Sequence, residues 1–450
     1  MARTPSRGFM STGQQRIAEL AAQSPQMAFT SLAHHMTFGW LLKAYNETRK
    51  DGAPGVDGQT GEDYDKNLRA NLKDLLDRAK SGSYRAPPVR RVYIAKGTGP
   101  EARPLGIPTF EDKVLQRAVL MLLEPLYEQD FLACSYGFRP DCSAHLALEA
   151  VWRQTMDMPM CWILEVDIRK FFDTLDHRHL RELLQRRVRD GVVLRLIGKW
   201  LNAGVLEDGE VTTPEAGTPQ GGVISPLLAN IYLHYVLDEW FEQQVKPRLK
   251  GHAFLVRYAD DFVIGFANEE DARRVQEVLG KRLAKYGLTL HPEKTRLVAF
   301  SRPTDQSEDT SQKGGSQAGT FDLLGFTHYW GKSWRGKWVV KRKTAGSRFR
   351  RAIKRIAEWC RKNLHEPVRE QQQTLRRKLQ GHYAYYGITG NSHGLKRFLL
   401  QVKRLWKKWL GRRKRGYYSW SEYLKLLVRF PLPPPKVVHS VYRRAGEALT

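Results

Sequence analysis

The stretch LVRYADDFVIGF, residues 255–266, constrains this chain more than any other. Two adjacent carboxylates, Asp260 and Asp261, lie between short runs rich in Leu, Val, Phe and Ile. The runs read as strands and the acidic pair as the tip of a tight hairpin. Such a tip ordinarily carries Asn-Gly or Asp-Gly, residues that tolerate positive φ. Two like charges side by side repel unless a cation sits between them. A hairpin built this way suits a divalent metal held through hard oxygen ligands. An acidic solvated turn is the alternative for an isolated Asp-Asp pair.

A third carboxylate narrows those alternatives. Residues 162–173, WILEVDIRKFFD, open with an apolar strand that ends at Asp167. Two-metal nucleotidyl transfer places two ions about 3.5–4 Å apart, one activating a 3′-hydroxyl and the other steadying the leaving pyrophosphate. That needs carboxylates from different strands, and Asp167 with Asp260 and Asp261 fits the layout. Ile168 would add only its backbone carbonyl. Between these blocks lies GTPQGGVISPLLANIYLHYVL, residues 217–237. Its glycines let backbone approach a ligand closely, and Ser225-Pro226 opens an apolar run that reads as a buried helix.

At 450 residues the chain is long enough for about three domains and a large core. Its charge is segregated. Residues 331–450 hold 32 Lys and Arg against 5 Asp and Glu, whereas residues 1–330 hold 42 of each. A solvated surface intersperses signs, so the C-terminal quarter reads as a polyanion-binding region. Cys134, Cys142, Cys161 and Cys360 form no Cys-x-x-Cys pair, which argues for a reducing compartment and against structural zinc. No signal peptide is legible at the N-terminus, and no apolar run reaches about 18 residues. A soluble cytoplasmic protein is expected.

Along the chain, residues 31–50 read as amphipathic helix, followed by the Gly-rich loop APGVDGQT. Residues 84–108 read as two strands joined by the Gly-Pro loop 97–100, with Lys96 and Arg103 flanking it. Residues 111–160 are mostly helical. Strands are expected at 162–167, 294–299 and 321–329, and helices at 177–188, 192–202, 226–243 and 270–286. Asp173 and Asp176 read as capping residues ahead of the helix at 177. The polar stretch 301–320 reads as a loop, and the remainder as basic helices with a Pro stop at PLPPP, 431–435.

The ordered blocks APGVDGQT (53–60), RPLGIPTFEDKVLQRA (103–118), SYGFRP (135–140), VDIRKFFD (166–173), GTPQGGVISPLLANIYL (217–233), YADD (258–261), GLTLHPEKT (287–295), LLGF (323–326) and QGHYAYYG (380–387) closely resemble the reverse transcriptase/maturase proteins encoded by bacterial group II introns. The resemblance implies an α+β right-hand polymerase with a small basic C-terminal DNA-binding region. Its expected segments are an N-terminal extension and fingers (1–160), a palm with a mixed sheet (161–335), a helical thumb (336–405) and the DNA-binding region (406–450). The chain stops at Thr450 without the Cys pairs and His of an HNH endonuclease, and so resembles the subset lacking that domain.

The resemblance also implies roles. Asp167, Asp260 and Asp261 would be catalytic and, with Ile168, would hold two Mg²⁺ ions, with Mn²⁺ a substitute. Lys96 and Arg103 would reach the triphosphate of an incoming dNTP. Phe172 would clash with a ribose 2′-hydroxyl, since by strand alternation one of Phe171 and Phe172 faces the core and the other the site. Gln220 would hydrogen-bond the nucleotide, unless it only satisfies its own loop. Lys294 would meet the pyrophosphate. Leu324, Gly325 and Phe326 resemble a primer grip, where glycine lets the primer backbone come close. Arg348, Arg351, Lys354 and Arg355, and Lys407, Lys408, Arg412, Arg413, Lys414 and Arg415, would meet phosphates while neighbouring aromatics such as Trp406, Trp409, Tyr417, Tyr418 and Trp420 pack or stack on bases. Expected partners are group II intron RNA, an RNA template with DNA primer, target DNA and dNTPs, with no membrane. A reverse transcriptase domesticated for repair or defence, and a non-catalytic RNA-binding splicing cofactor, are the competing readings.

Overall fold

The computed structural model describes residues 11–95, 102–158, 160–207, 210–212, 217, 221–303, 319–413 and 416–440. Lys96, Gln220, Lys414, Arg415 and most of the polar stretch 301–320 lie outside them, as does the side chain of Arg103. The chain is α+β. Its strands, in order, are β1 (Val89–Ala95), β2 (Ala102–Ile107), β3 (Trp162–Asp167), β4 (Val205–Glu207), β5 (Glu210–Thr212), β6 (Ala253–Tyr258), β7 (Asp261–Phe266), β8 (Arg296–Ala299), β9 (Phe321–Leu323), β10 (Phe326–Lys332) and β11 (Trp338–Thr344). They form three sheets, ordered β2-β1-β4-β5, β6-β7-β3-β8 and β11-β10-β9.

Two compact units divide the chain: residues 1–96, 100–147 and 164–297, and residues 97–99, 148–163 and 298–450. In the first, β1 and β2 pair antiparallel from Arg90↔Ile107 to Ala95↔Ala102, as the reading of 84–108 as two joined strands predicts. The short strands β4 and β5 extend this sheet and were not legible in advance. The helix Phe110–Asp130 starts where the Thr109 hydroxyl accepts from the Asp112 amide, and acidic Glu111 and Asp112 suit its first turn. Asp176 caps the helix His177–Leu184, as expected, by accepting from His179. Asp173, expected as a second cap, instead lies within the short helix Phe171–Thr174. The helix expected at 226–243 begins at Ser225 but changes to wider π-helical winding at His234–Asp238 and Trp240–Val245.

In the second unit, the strand expected at 321–329 is two strands, because Leu324 and Gly325 turn the chain back with φ of +50° and +81°. Positive φ at both central positions is the twist-matched hairpin geometry, rare for leucine. Residues 148–163 belong here through hydrogen bonds to the sheet, Trp152 Nε1 donating to Val340 O at 2.9 Å and Arg342 to Leu148 O at 3.3 Å. Helices Gly346–Lys362, Val368–Tyr386, Ser392–Arg413 and Trp420–Arg429 then pack around Ile356, Leu375, Leu379, Phe398, Trp406 and Tyr423.

That core revises one expectation. A boundary between 405 and 406 cuts through the helix Ser392–Arg413, and Trp406 is fully buried, donating from Nε1 to Gln371 Oε1 at 2.9 Å. Tyr423 and Leu432 complete the same core, and Gln372 donates to Pro431 O at 2.7 Å, so the Pro-rich segment packs back on the helices. All four cysteines are free thiols. Among the described residues, no helix is long and apolar enough to cross a membrane.

Candidate active site

The ladder between β6 and β7 runs from Ala253↔Phe266 to Tyr258↔Asp261, which makes Ala259 and Asp260 the two turn residues. Ala259 takes the positive φ, +57°, that the turn requires. The acidic pair is therefore not jointly the tip. Asp260 sits half-buried in the turn, and Asp261 is the exposed first residue of β7. β7 neighbours β3, whose last residue is Asp167. The three carboxylates thus occupy two adjacent strands and the turn that leads into one of them.

Asp167 has a cation beside it. Residues 289–291 run alongside 167–169, with Arg169 N donating to Thr289 O and His291 N to Asp167 O, both at 2.8 Å. Ile168 bridges Leu290 between these bonds, and its own carbonyl takes part in neither. The turn that follows carries Lys294 back, and its Nζ stands 2.9 Å from Asp167 Oδ2. The donors are all hard oxygens, which suits a hard divalent metal ion. Among the described residues, no group of three or more His, Cys, Asp or Glu side chains stands ready to hold a metal. The fit therefore lies in donor chemistry and strand placement.

Phe171 is buried against Tyr232, and Phe172 is half-exposed. The split that was expected is present, but its cause differs: both residues lie on the short helix Phe171–Thr174, not on an alternating strand.

Sequence reasoning missed what holds the YADD turn. Arg257, fully buried on β6, pairs with the equally buried Asp238 of the π-helical segment. It also donates to Asn230 Oδ1 at 2.9 Å, Ser135 Oγ at 2.8 Å and the carbonyl of Ala259 at 3.1 Å. Burial works against the guanidinium charge, but the Asp238 carboxylate outweighs it and holds Arg257 above its ordinary pKa. The SYGFRP block crosses the same turn. A Cβ on Gly137 would lie 2.3 Å from Ala259 N, so only glycine admits this approach, and Asn230 Nδ2 holds the Gly137 carbonyl at 2.6 Å. Arg139 is turned inward, bound to Glu128 and to the carbonyls of Leu132 and Ser135. The signal for this network was present: a lone arginine inside the apolar run FLVRY needs a buried anionic partner.

In the second unit, the Leu324–Gly325 turn is clamped from the GHYAYYG block. Tyr385 Oη donates to Leu324 O at 2.7 Å, and Phe326 packs on Tyr385 and Tyr386. A Cβ on Gly325 would stand 3.2 Å from Tyr386 Oη. Those tyrosines support a turn rather than offering free faces. On the helix Gly346–Lys362, Ile356 and Cys360 face the core while Arg348, Lys354 and Arg355 are exposed. Burial, with crowding by Arg348 and Arg355, lowers the pKa of Arg351. Lys408 and Arg412 lie over the Trp409 ring and Lys407 over Trp420, and Arg413 donates to Glu366 O. Among the expected stacking residues, Tyr417 is 97% exposed and Trp420 half-exposed, but Trp406 is wholly internal.

A family model described as reverse transcriptase (RNA-dependent DNA polymerase) matches residues 94–328. Protein YkfC of Escherichia coli is 36% identical over 319 residues, 63% of this chain and 83% of YkfC. The group II intron-encoded protein LtrA of Lactococcus lactis is 38% identical over 226 residues, 49% of this chain but only 37% of LtrA. Nuclear intron maturase 2 of Arabidopsis thaliana is 30% identical over 177 residues, 30% of this chain and 24% of that protein.

Proposed function

Because this chain belongs to the reverse transcriptase family, we propose that it is an active polymerase that copies RNA into DNA and also assists splicing and mobility of a group II intron RNA. The observation that carries the polymerase reading is the placement of Asp167 and Asp261 on adjacent strands, with Asp260 in the turn that leads into the second and Lys294 held beside Asp167. Asp167, Asp260, Asp261 and the Ile168 carbonyl would hold Mg²⁺, with Mn²⁺ a substitute; the bound ions would supply Lewis-acid stabilisation to the attacking 3′-hydroxyl and the departing pyrophosphate.

The chain's own residues do the remainder. Half-exposed Phe172 stands over a sugar and excludes a 2′-hydroxyl. Lys294 exchanges Asp167 for the pyrophosphate, neutralising charge as it forms. Lys96, Arg103 and Gln220 orient the triphosphate and sugar. The Leu324–Gly325–Phe326 turn holds the primer terminus. Arg348, Arg351, Lys354 and Arg355 grip the duplex, and Lys407, Lys408, Arg412, Arg413, Lys414 and Arg415 meet intron RNA or target DNA through phosphates. Intron work is supported by the likeness to LtrA, an intron-encoded protein, and to the plant intron maturase, and by the net basic charge confined to 331–450.

The test is dNTP incorporation by the purified chain on an RNA template with an annealed DNA primer. Extension in Mg²⁺ that stops with EDTA is expected. RNA binding without extension in either Mg²⁺ or Mn²⁺ would overturn the polymerase reading and leave a non-catalytic cofactor.

A further inference from the structure

The loop joining β10 to β11 carries a tryptophan that packing cannot explain. Trp334 is 97% exposed, and it is the only large apolar side chain exposed among the described residues between Val278 and Leu400. Leaving an indole in water forfeits roughly 2–3 kcal/mol of burial, so such a residue is ordinarily covered. The loop around it is well built. Ser333 N donates to Lys337 O at 2.7 Å, Gly336 N to Ser333 O at 3.1 Å and Lys337 N to Ser333 Oγ at 3.2 Å. Beneath it, β10 and β11 pair without a break from Phe326↔Thr344 to Lys332↔Trp338. The hairpin holds its tip as a fixed projection.

The charge around the tip is of one sign. Lys332, Arg335 and Lys337 are exposed on either side of Trp334, and Lys343 lies further along the hairpin over the Tyr329 ring. No acidic residue occurs between Asp322 and Glu358. A rigid aromatic face among cations offers two contacts together, stacking on a base and charge for the adjoining phosphates. In a duplex the base faces are already stacked on one another, so the indole needs an unpaired base. A lipid surface would need a broad apolar face, and here there is one apolar side chain.

We propose that the β10–β11 tip is a single-strand binding element in which Trp334 stacks on an unpaired nucleobase while Arg335, Lys337 and Lys332 contact the flanking phosphates. The proposal rests on this chain handling nucleic acid, but not on its carboxylates being active.

The experiment uses the full chain labelled with 5-fluorotryptophan, the Trp334 ¹⁹F signal being assigned by its loss in Trp334→Phe. A single-stranded 12-mer oligoribonucleotide should shift or broaden that signal. A blunt 12-base-pair RNA duplex and anionic phosphatidylserine vesicles should leave it in place. Trp334→Ala should weaken binding of the single strand about tenfold, the loss of one stacked base, with duplex affinity unchanged. Trp334→Tyr should recover most of the loss. A Trp334 signal that single-stranded RNA does not move, that the duplex moves equally, or that only vesicles move overturns the proposal. So does unchanged single-strand affinity in Trp334→Ala. A chain that fails primer extension yet shows the predicted ¹⁹F response loses the polymerase reading and keeps this one.

Discussion

Arg257 and Asp238 meet as an ion pair with neither side chain exposed, and the same guanidinium donates to the carbonyl of Ala259 in the YADD turn. The pair links the π-helical segment to the residue that precedes Asp260. Breaking one partner of a buried pair leaves an uncompensated charge, so Arg257→Met should lower stability by about 3–5 kcal/mol. The double variant Arg257→Met/Asp238→Leu should recover most of that in urea unfolding, because no charge remains stranded. Extension on a primed RNA should stay low in both, since Ala259 has lost its donor in each. Normal extension by the refolded double variant would show that the pair serves stability alone.

Lys294→Met removes the cation beside Asp167. The two side chains are 54% and 32% exposed, so unfolding stability should change by less than about 1 kcal/mol. Extension at saturating dNTP should nevertheless fall by roughly 10²-fold if Lys294 serves the departing pyrophosphate. An unchanged single-turnover rate would return Lys294 to a surface ion pair.

The two phenylalanines after Asp167 should respond oppositely. Phe172→Val should admit ribonucleotides with little loss of dNTP use or of stability. Phe171→Ala should cost about 3–5 kcal/mol, the penalty of an emptied core position, without changing the ribo/deoxy incorporation ratio. A shift in that ratio from Phe171→Val and none from Phe172→Val would reverse the assignment.

Much of this site was legible in the sequence. Apolar runs of strand length marked β3, β6 and β7, and the carboxylates fell at their ends because such runs must stop where the chain meets solvent. What was not legible depended on distant partners. Nothing local to Arg257 names Asp238, Asn230 or Ser135. Nor does LLGF announce a hairpin, since leucine is a poor residue for a φ of +50° and is held there by Tyr385. The interleaved Trp, Tyr and Lys of 402–420 read alike whether they face nucleic acid or a core. Only packing separates Trp406, which is internal, from Tyr417, which is exposed.

His328 gives the second unit an acid-sensitive point. It lies wholly buried, stacked on Phe321, and neither ring nitrogen has a hydrogen-bond partner among the described residues. Burial, then the nearby Arg342, pushes its pKa down from 6.5 to about 3. The unfolded chain therefore takes up a proton below pH 6.5 that the folded chain refuses. Its stabilising contribution is complete above that pH and is lost as the pH falls toward 3. Between pH 7 and pH 5 the loss should be about 2 kcal/mol. Urea midpoints for the native chain and His328→Phe should diverge over that range, and parallel profiles would contradict the assignment.

In the proposed mechanism Asp167, Asp260 and Asp261 do the chemistry while other residues bind the nucleic acid. Primer extension on an RNA template, measured beside filter binding of the same RNA for Asp167→Ala and Asp260→Asn, tests it most directly. Extension should be lost in both variants at saturating Mg²⁺, with RNA affinity within about twofold of the native chain, because metal ligands are not phosphate contacts. Robust extension by Asp260→Asn, or a collapse of RNA binding matching the loss of extension in folded protein, would contradict it.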